Sequence, residues 1–127
     1  MSAPTVRGIG VDVASVPRVG ALAERYADDV LGHVFTDREL RAAGSGARRA
    51  RRLAVCFAAK EAAGKALACR LADMPWTDVE SIQRGPRLSV ALRGAAERRG
   101  RELGVSEVLA SWAVWDDHHV LVHVLLV

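Results

Sequence analysis

Residues 57–67 read FAAKEAAGKAL, and how this stretch is read decides the fold. Alanine is the strongest helix former, with leucine, lysine and glutamate close behind, so the stretch is read as a helix. Its many alanines let neighbouring elements pack closely against it. Lys60, Glu61 and Lys65 interrupt the apolar run. Glu61 and Lys65 are spaced i, i+4 with the acid first, the favourable order for an ion pair along a helix. The pattern extends outward from about Ala47 to Ala72 as one long helix, with Gly64 its only weak point.

On the N-terminal side, GSG (44–46) is a break before this helix. TDRELRAAG (36–44) predicts a short helix, with Thr36 and Glu39 as a capping box and Gly44 after its end. VPRVGALAERYADDVLGHVF (16–35) has helical apolar spacing, with Pro17 suited to a first turn. VRGIGVDVASV (6–16) alternates Ile9, Val11 and Val13 with Gly8, Gly10 and Asp12, so it reads as a strand with two unlike faces. On the C-terminal side, WTDVESI (76–82) and RLSVAL (87–92) predict strands joined through RGP. GAAERRGRELG (94–104) predicts a polar-faced helix, and EVLASWAVWDDHHVLVHVLLV (107–127) a hairpin turning near DDHH. This order gives one α+β domain over residues 1–127, a small antiparallel sheet packed on one long helix.

The 127 residues suit one domain, and 50% hydrophobic residues suffice for one core. With aromatics at 5%, alanine, valine and leucine must do most of the packing. Eighteen Lys+Arg against 15 Asp+Glu give a formal charge of +3, and arginine supplies nearly all of the positive charge. Such a surface suits an acidic partner or a phosphate ligand. A basic stretch interleaved with aromatics is missing, as are zinc-finger and RRM signatures, which argues against nucleic acid as the partner. Cys56 and Cys69, if both lie on the long helix, stand roughly 20 Å apart, beyond disulfide reach, so both are expected as thiols in a reducing compartment. The opening residues MSAPTVRGIG lack the apolar core of a signal peptide, and no window approaches a membrane span. A cytoplasmic domain with no membrane partner is expected.

Asp12 stands on a glycine-flanked strand within an apolar run, where an unpartnered carboxylate is costly to bury. It either caps a turn or pairs with an arginine, or it joins a second carboxylate on a packed helix to hold a hard divalent cation. Mg²⁺ takes one or two carboxylates and fills its other positions with water and substrate phosphates. Lys60 and Lys65 are then suited to neutralise phosphate oxygens as charge builds in a transition state. RRARR (48–52) sets four arginines at the start of the long helix, against the helix dipole; either a solvated face or an anion site accounts for them. His119 and His123 share a strand face but stand roughly 13 Å apart, too far to chelate one ion. GIG before Asp12 matches no dinucleotide fingerprint, and neither cysteine nor serine stands in a nucleophile motif.

Three blocks together, GIGVDVASVPRV (8–19), VFTDREL (34–40) and FAAKEAAGKAL (57–67), with the looser WTDVE (76–80) after them, resemble the holo-acyl-carrier-protein synthases. These are the short, single-domain type of 4′-phosphopantetheinyl transferase. The resemblance implies transfer of phosphopantetheine from coenzyme A to a serine of an apo acyl carrier protein, with release of adenosine 3′,5′-bisphosphate and dependence on Mg²⁺. By matching position it makes Asp12 and Glu61 the metal carboxylates, with Glu61 also helping to deprotonate the serine. Lys65 falls near the pyrophosphate with Lys60 beside it in the motif, and Arg18 meets the acidic recognition helix of the carrier protein, a surface that Arg25 extends. The resemblance also implies a homotrimer with an active site at each subunit interface.

The chain departs from the family pattern at several places. Cys56 stands where the family has arginine, Ala68-Cys69-Arg70 where it has a glycine-rich turn, and RGPR (84–87) where it has a turn carrying lysine. Trp115 stands at the histidine of a Ser-x-Ser-His motif. Arginine to cysteine removes charge and bidentate phosphate geometry together. Two readings follow. In one the chain is an active transferase, with Arg48, Arg52 or Arg70 compensating at coenzyme A. In the other the scaffold has lost transfer and binds a carrier protein, or acts on a carrier-bound substrate in a different reaction.

Overall fold

Five strands form one antiparallel sheet in the order β1-β5-β4-β3-β2 in the computed structural model, which describes residues 3–127. Met1 and Ser2, included in the expected 1–127 domain, lie outside the described residues. The strands are β1 (Gly8–Ser15), β2 (Val79–Arg84), β3 (Arg87–Leu92), β4 (Val108–Asp116) and β5 (His119–Leu126). Helices α1 (Val16–Arg25), α2 (Asp28–Leu31), α3 (Asp37–Ala43), α4 (Arg49–Ala66) and α5 (Gly94–Glu102) complete the chain. Both expected hairpins form. Gly85, at φ 62°, turns β2 into β3 between the paired Arg84 and Arg87. Asp116 accepts the His118 amide at 2.7 Å and turns β4 into β5.

Helix α4 lies across the sheet and carries most of the core: Leu53, Ala54, Val55, Ala58, Ala59, Ala62 and Ala63 are fully buried. Alternation along β5 adds Val120, Val122, Val124 and Leu126 from beneath. On β1, by contrast, the glycine face turns inward and the β-branched face turns out. Ile9 is 66% exposed, whereas a Cβ on Gly8 would lie 2.1 Å from the Ala66 carbonyl oxygen and one on Gly10 1.9 Å from that of Ala62. The strand and helix meet backbone to backbone, and only glycine permits that approach.

Three boundaries differ from the sequence reading. Helix α4 ends at Ala66 rather than near Ala72, because Ala68 adopts φ 51° and closes a Schellman motif. The Cys69 amide bonds the Gly64 carbonyl at 3.0 Å and the Ala68 amide that of Lys65 at 3.1 Å. Alanine in this left-handed position costs about 1 kcal/mol that glycine would not. The single helix expected over 16–35 divides after Arg25, since Tyr26 and Ala27 are extended. The break lets Leu31 and Phe35 reach the core. Finally, Trp76–Asp78 forms a 3-10 turn rather than strand, with Trp76 stacked on Phe57 at 5.1 Å and Asp78 accepting the Ala95 amide at the start of α5. Ser15 and the Thr36–Glu39 box cap α1 and α3, the latter as expected.

Candidate active site

The close contact of β1 with α4 sets Asp12 beside the last two turns of the helix. Lys65 Nζ lies 2.8 Å from Asp12 Oδ1 and donates also to the Val11 carbonyl at 3.2 Å. Lys65 thus reaches across to β1 for its ion pair. The along-helix pair expected between Glu61 and Lys65 is not among the ion pairs of the described residues. Half-buried Glu61 lines an open cleft of about 370 Å³ with Lys65, Ala68, Cys69 and Arg70. Burial first, and the nearby Asp12 carboxylate second, push the Glu61 carboxyl above its ordinary value, against the smaller pull of Lys65. Lys65 is held above its own ordinary value by its hydrogen bond to Asp12 and the charge of that carboxylate. Glu61 and Lys65 thus line the cleft, and Asp12 joins them from β1 through its bond to Lys65 and its charge on Glu61.

Lys60 does not join them. It is fully buried and turned to the other side of α4, with its ammonium 2.7 Å from Glu39 Oε1. It also donates to the carbonyls of Trp76 and Val79. A side chain held by three buried acceptors is closed to substrate phosphate, which corrects the expectation that Lys60 binds the cofactor. The sequence signal was present but divided: Glu39 was read as a cap alone, and Lys60 as the neighbour of Glu61.

Arg48 and Arg52 also stand away from the Asp12 cleft. At 3.6 residues per turn, the nine residues from Arg52 to Glu61 make about two and a half turns, placing them on opposite faces of α4. The arginine face borders its own cleft of about 300 Å³, lined by Arg48, Arg51, Arg52, Cys56, Gln83 and Trp112. Trp112, which the sequence reading did not assign, donates its indole N–H to the Gly85 carbonyl at 2.7 Å and carries the Arg51 guanidinium 5.8 Å above its ring. Cys56 is buried at the inner wall of this cleft. Burial, reinforced by Glu39, pushes its thiol up to about 12, so it is an inert neutral group. Both cysteines are free, as expected. Trp115 sits at an irregularity of β4, 65% exposed, near the end of the hairpin.

Arg18, Leu22 and Arg25 share one exposed face of α1 at i, i+4, i+7 spacing. Beside them an apolar groove of about 190 Å³ runs between α1, α2 and α4, with Val19, Leu22, Tyr26, Phe35 and Phe57 along it. Among the described residues no group of three or more His, Cys, Asp or Glu could hold a metal, so a cation here would rest on two carboxylates. Nor, among them, is any helix long and apolar enough to cross a membrane.

Comparison with known proteins also finds matches to this chain, with its carboxylate-bearing N-terminal strand locked against a KExxxK helix. Residues 8–120 match the sequence model of the 4′-phosphopantetheinyl transferase superfamily. The chain belongs to that superfamily. It is 40% identical over 115 residues to a holo-[acyl-carrier-protein] synthase of Streptomyces coelicolor, covering 90% of this chain and 89% of the relative. A synthase of the same name from Koribacter versatilis is 35% identical over 101 residues, covering 78% and 81%. The crystal structure of the Neisseria meningitidis enzyme superposes with a TM-score of 0.79 at 26% identity, covering 97% of this chain and 99% of that one. The Helicobacter pylori enzyme in complex with coenzyme A, at 19% identity, shares the fold with a TM-score of 0.76 over 94% and 99%.

Proposed function

We propose that this chain transfers 4′-phosphopantetheine from coenzyme A to a serine hydroxyl of an apo acyl carrier protein. The observation that carries this reading is the Asp12–Lys65 ion pair beside the cleft that Glu61 and Lys65 line, in a chain whose family members include holo-[acyl-carrier-protein] synthases. Asp12 and Glu61 would hold the Mg²⁺; burial first and the Asp12 charge second raise the Glu61 carboxyl, and a dication would offset both. When bound, the ion supplies positive charge to the pyrophosphate oxygens.

The chain's own groups do the rest. Glu61 takes the proton of the incoming serine, directly or through one water. The serine oxygen bonds to the β-phosphorus as the bridging P–O bond breaks and adenosine 3′,5′-bisphosphate leaves. Lys65 offers a fixed positive charge to the phosphate oxygens where negative charge develops. The face of Arg18 and Arg25, with its apolar groove, suits an acidic amphipathic helix of the carrier protein. This reading places the protein in the cytoplasm, where coenzyme A and carrier proteins meet.

Homotrimer formation is part of the proposal. The outward face of the sheet carries exposed Ile9, Val11, Val13 and Leu109, with His123 and Ser111 between them, a largely apolar surface suited to burial against further copies. A ring of copies would also bring the arginine cleft of one α4 toward the Asp12 cleft of a neighbour, which a single chain cannot do. Arg48 and Arg52 would then serve the phosphates of coenzyme A across the interface.

This predicts complementation. Glu61→Gln and the double variant Arg48→Ala/Arg52→Ala are each expected to be nearly inactive. Mixed one to one and allowed to exchange subunits, they should recover about a quarter of wild-type activity, since about one interface in four pairs two intact halves. No recovery, with mixed oligomers verified by native mass spectrometry, would place the arginines outside the neighbour's site.

The reaction itself is tested by intact-protein mass spectrometry of an acidic apo carrier protein incubated with this chain and coenzyme A, with and without Mg²⁺. A metal-dependent gain of one phosphopantetheine unit is expected. No gain across several carrier proteins, with a folded chain, would leave the neutral Cys56 and exposed Trp115 as marks of a scaffold that has lost transfer.

A further inference from the structure

We propose that Lys60, with Glu39, is a positioning residue that sets the rotation of α4 and thereby holds Glu61 toward Asp12. This rests on the transferase reading above. Both side chains are completely removed from solvent, and every polar atom of the pair is partnered. The three N–H groups of Lys60 go to Glu39 Oε1 at 2.7 Å, to the Trp76 carbonyl at 3.1 Å and to the Val79 carbonyl. Glu39 in turn accepts the Thr36 amide at 2.9 Å and the Ser81 amide at 3.0 Å. One ammonium therefore ties α4 to α3, to the turn at Trp76 and to β2.

The position of this tie explains its use. Over its last turns α4 packs mainly through alanine: the Gly8 and Gly10 contact holds the β1 side at Ala62 and Ala66, and on the side facing α3 and β2 Lys60 makes the directional bonds. The glycine contact sets how closely α4 approaches β1, and the Lys60 bonds on its other side add a directional restraint on its rotation. Lys60 and Glu61 are consecutive, about 100° apart around the axis, so fixing the first fixes the direction of the second. A buried ion pair is not a favoured way to gain stability, because an apolar pair of similar volume often serves as well or better. Its distinct property is that directional hydrogen bonds accept one geometry. Apolar packing would not demand it.

The experiment compares Lys60→Met, Glu39→Gln and the double variant by thermal unfolding and by steady-state kinetics. Each single change strands the other group in the core, so a melting temperature lower by roughly 10 °C or more is expected. The double change should recover most of that loss, giving a coupling in the unfolding cycle that needs no activity measurement. The folded double variant should nevertheless show kcat reduced at least about tenfold, with KM for coenzyme A and for carrier protein within about twofold. Wild-type kcat in the double variant would overturn the positioning role, as would a defect confined to KM. Should the double variant not fold, the same split is read in Glu39→Gln well below its melting temperature, where unchanged kcat overturns the proposal equally. A wild-type chain that transfers to no carrier protein would instead sink the transferase reading and leave the unfolding cycle as the record of the pair.

Discussion

Glu61→Gln should lower transfer roughly a thousandfold while leaving the fold intact. The substitution is isosteric, and Glu61 makes no hydrogen bond within the described residues that would be lost. What disappears is a base and a cation ligand. Stability should not fall with it. Burial and Asp12 hold the Glu61 carboxyl above its ordinary value, so the folded chain takes up a proton at higher pH than the unfolded chain. The stability linked to this group is therefore present at low pH and lost as pH rises through the folded value. In metal-free buffer the variant should melt at or above wild type at neutral pH, and the difference should vanish toward about pH 4. Melting curves across that range, beside single-turnover transfer assays, check both halves. A variant that keeps its activity would remove Glu61 from the mechanism.

Gly10→Ala carries the largest expected cost to the fold. The added methyl would sit 1.9 Å from the Ala62 carbonyl oxygen and 2.9 Å from the Ala66 amide nitrogen, both backbone atoms of a buried helix. Neither can move without prying β1 from α4. A loss of about 3 kcal/mol or more is expected, or roughly 10 °C in melting temperature. The Asp12–Lys65 pair, anchored by the same contact, should loosen as well, so residual activity should fall further than the folded fraction. Gly46→Ala is the control. Its Cβ meets nothing within 4 Å, and at φ 80° it should cost only the ~1 kcal/mol of a left-handed alanine. Equal losses in the two variants would mean that β1 and α4 separate at Gly10 with little penalty.

Much of this architecture was legible because its signals are local. The capping box at Thr36, the Gly85 turn and the alternation of β5 each specify their element from a few neighbouring residues. The site was legible to the extent that it was written as a motif: Asp12, Glu61 and Lys65 do converge. Lys60 was misread because its partners stand 16 to 21 residues away, at Trp76, Val79 and Glu39, and no spacing rule links a helix lysine to a cap glutamate on another element. The C-terminal limit of α4 was missed because Ala68 takes a conformation usually reserved for glycine, which composition does not announce. Which face of β1 points inward was equally silent, since the β-branched face has the apolar residues and the glycine face has the contact.

The pairing of β1 with β5 also governs when the site can exist during synthesis. Gly8 pairs with Leu126 and Asp12 with Val122, residues more than a hundred positions apart. Among the described residues β1 has no sheet neighbour other than β5, whose residues are still in the exit tunnel when the other strands have emerged. Contacts of such separation form late and slow folding. The sheet pairing of Asp12 therefore completes only after the last strand is free. A nascent chain waits with its carboxylate strand unpaired and its Ile9–Val13 face exposed, the interval in which assistance from a chaperone would matter most.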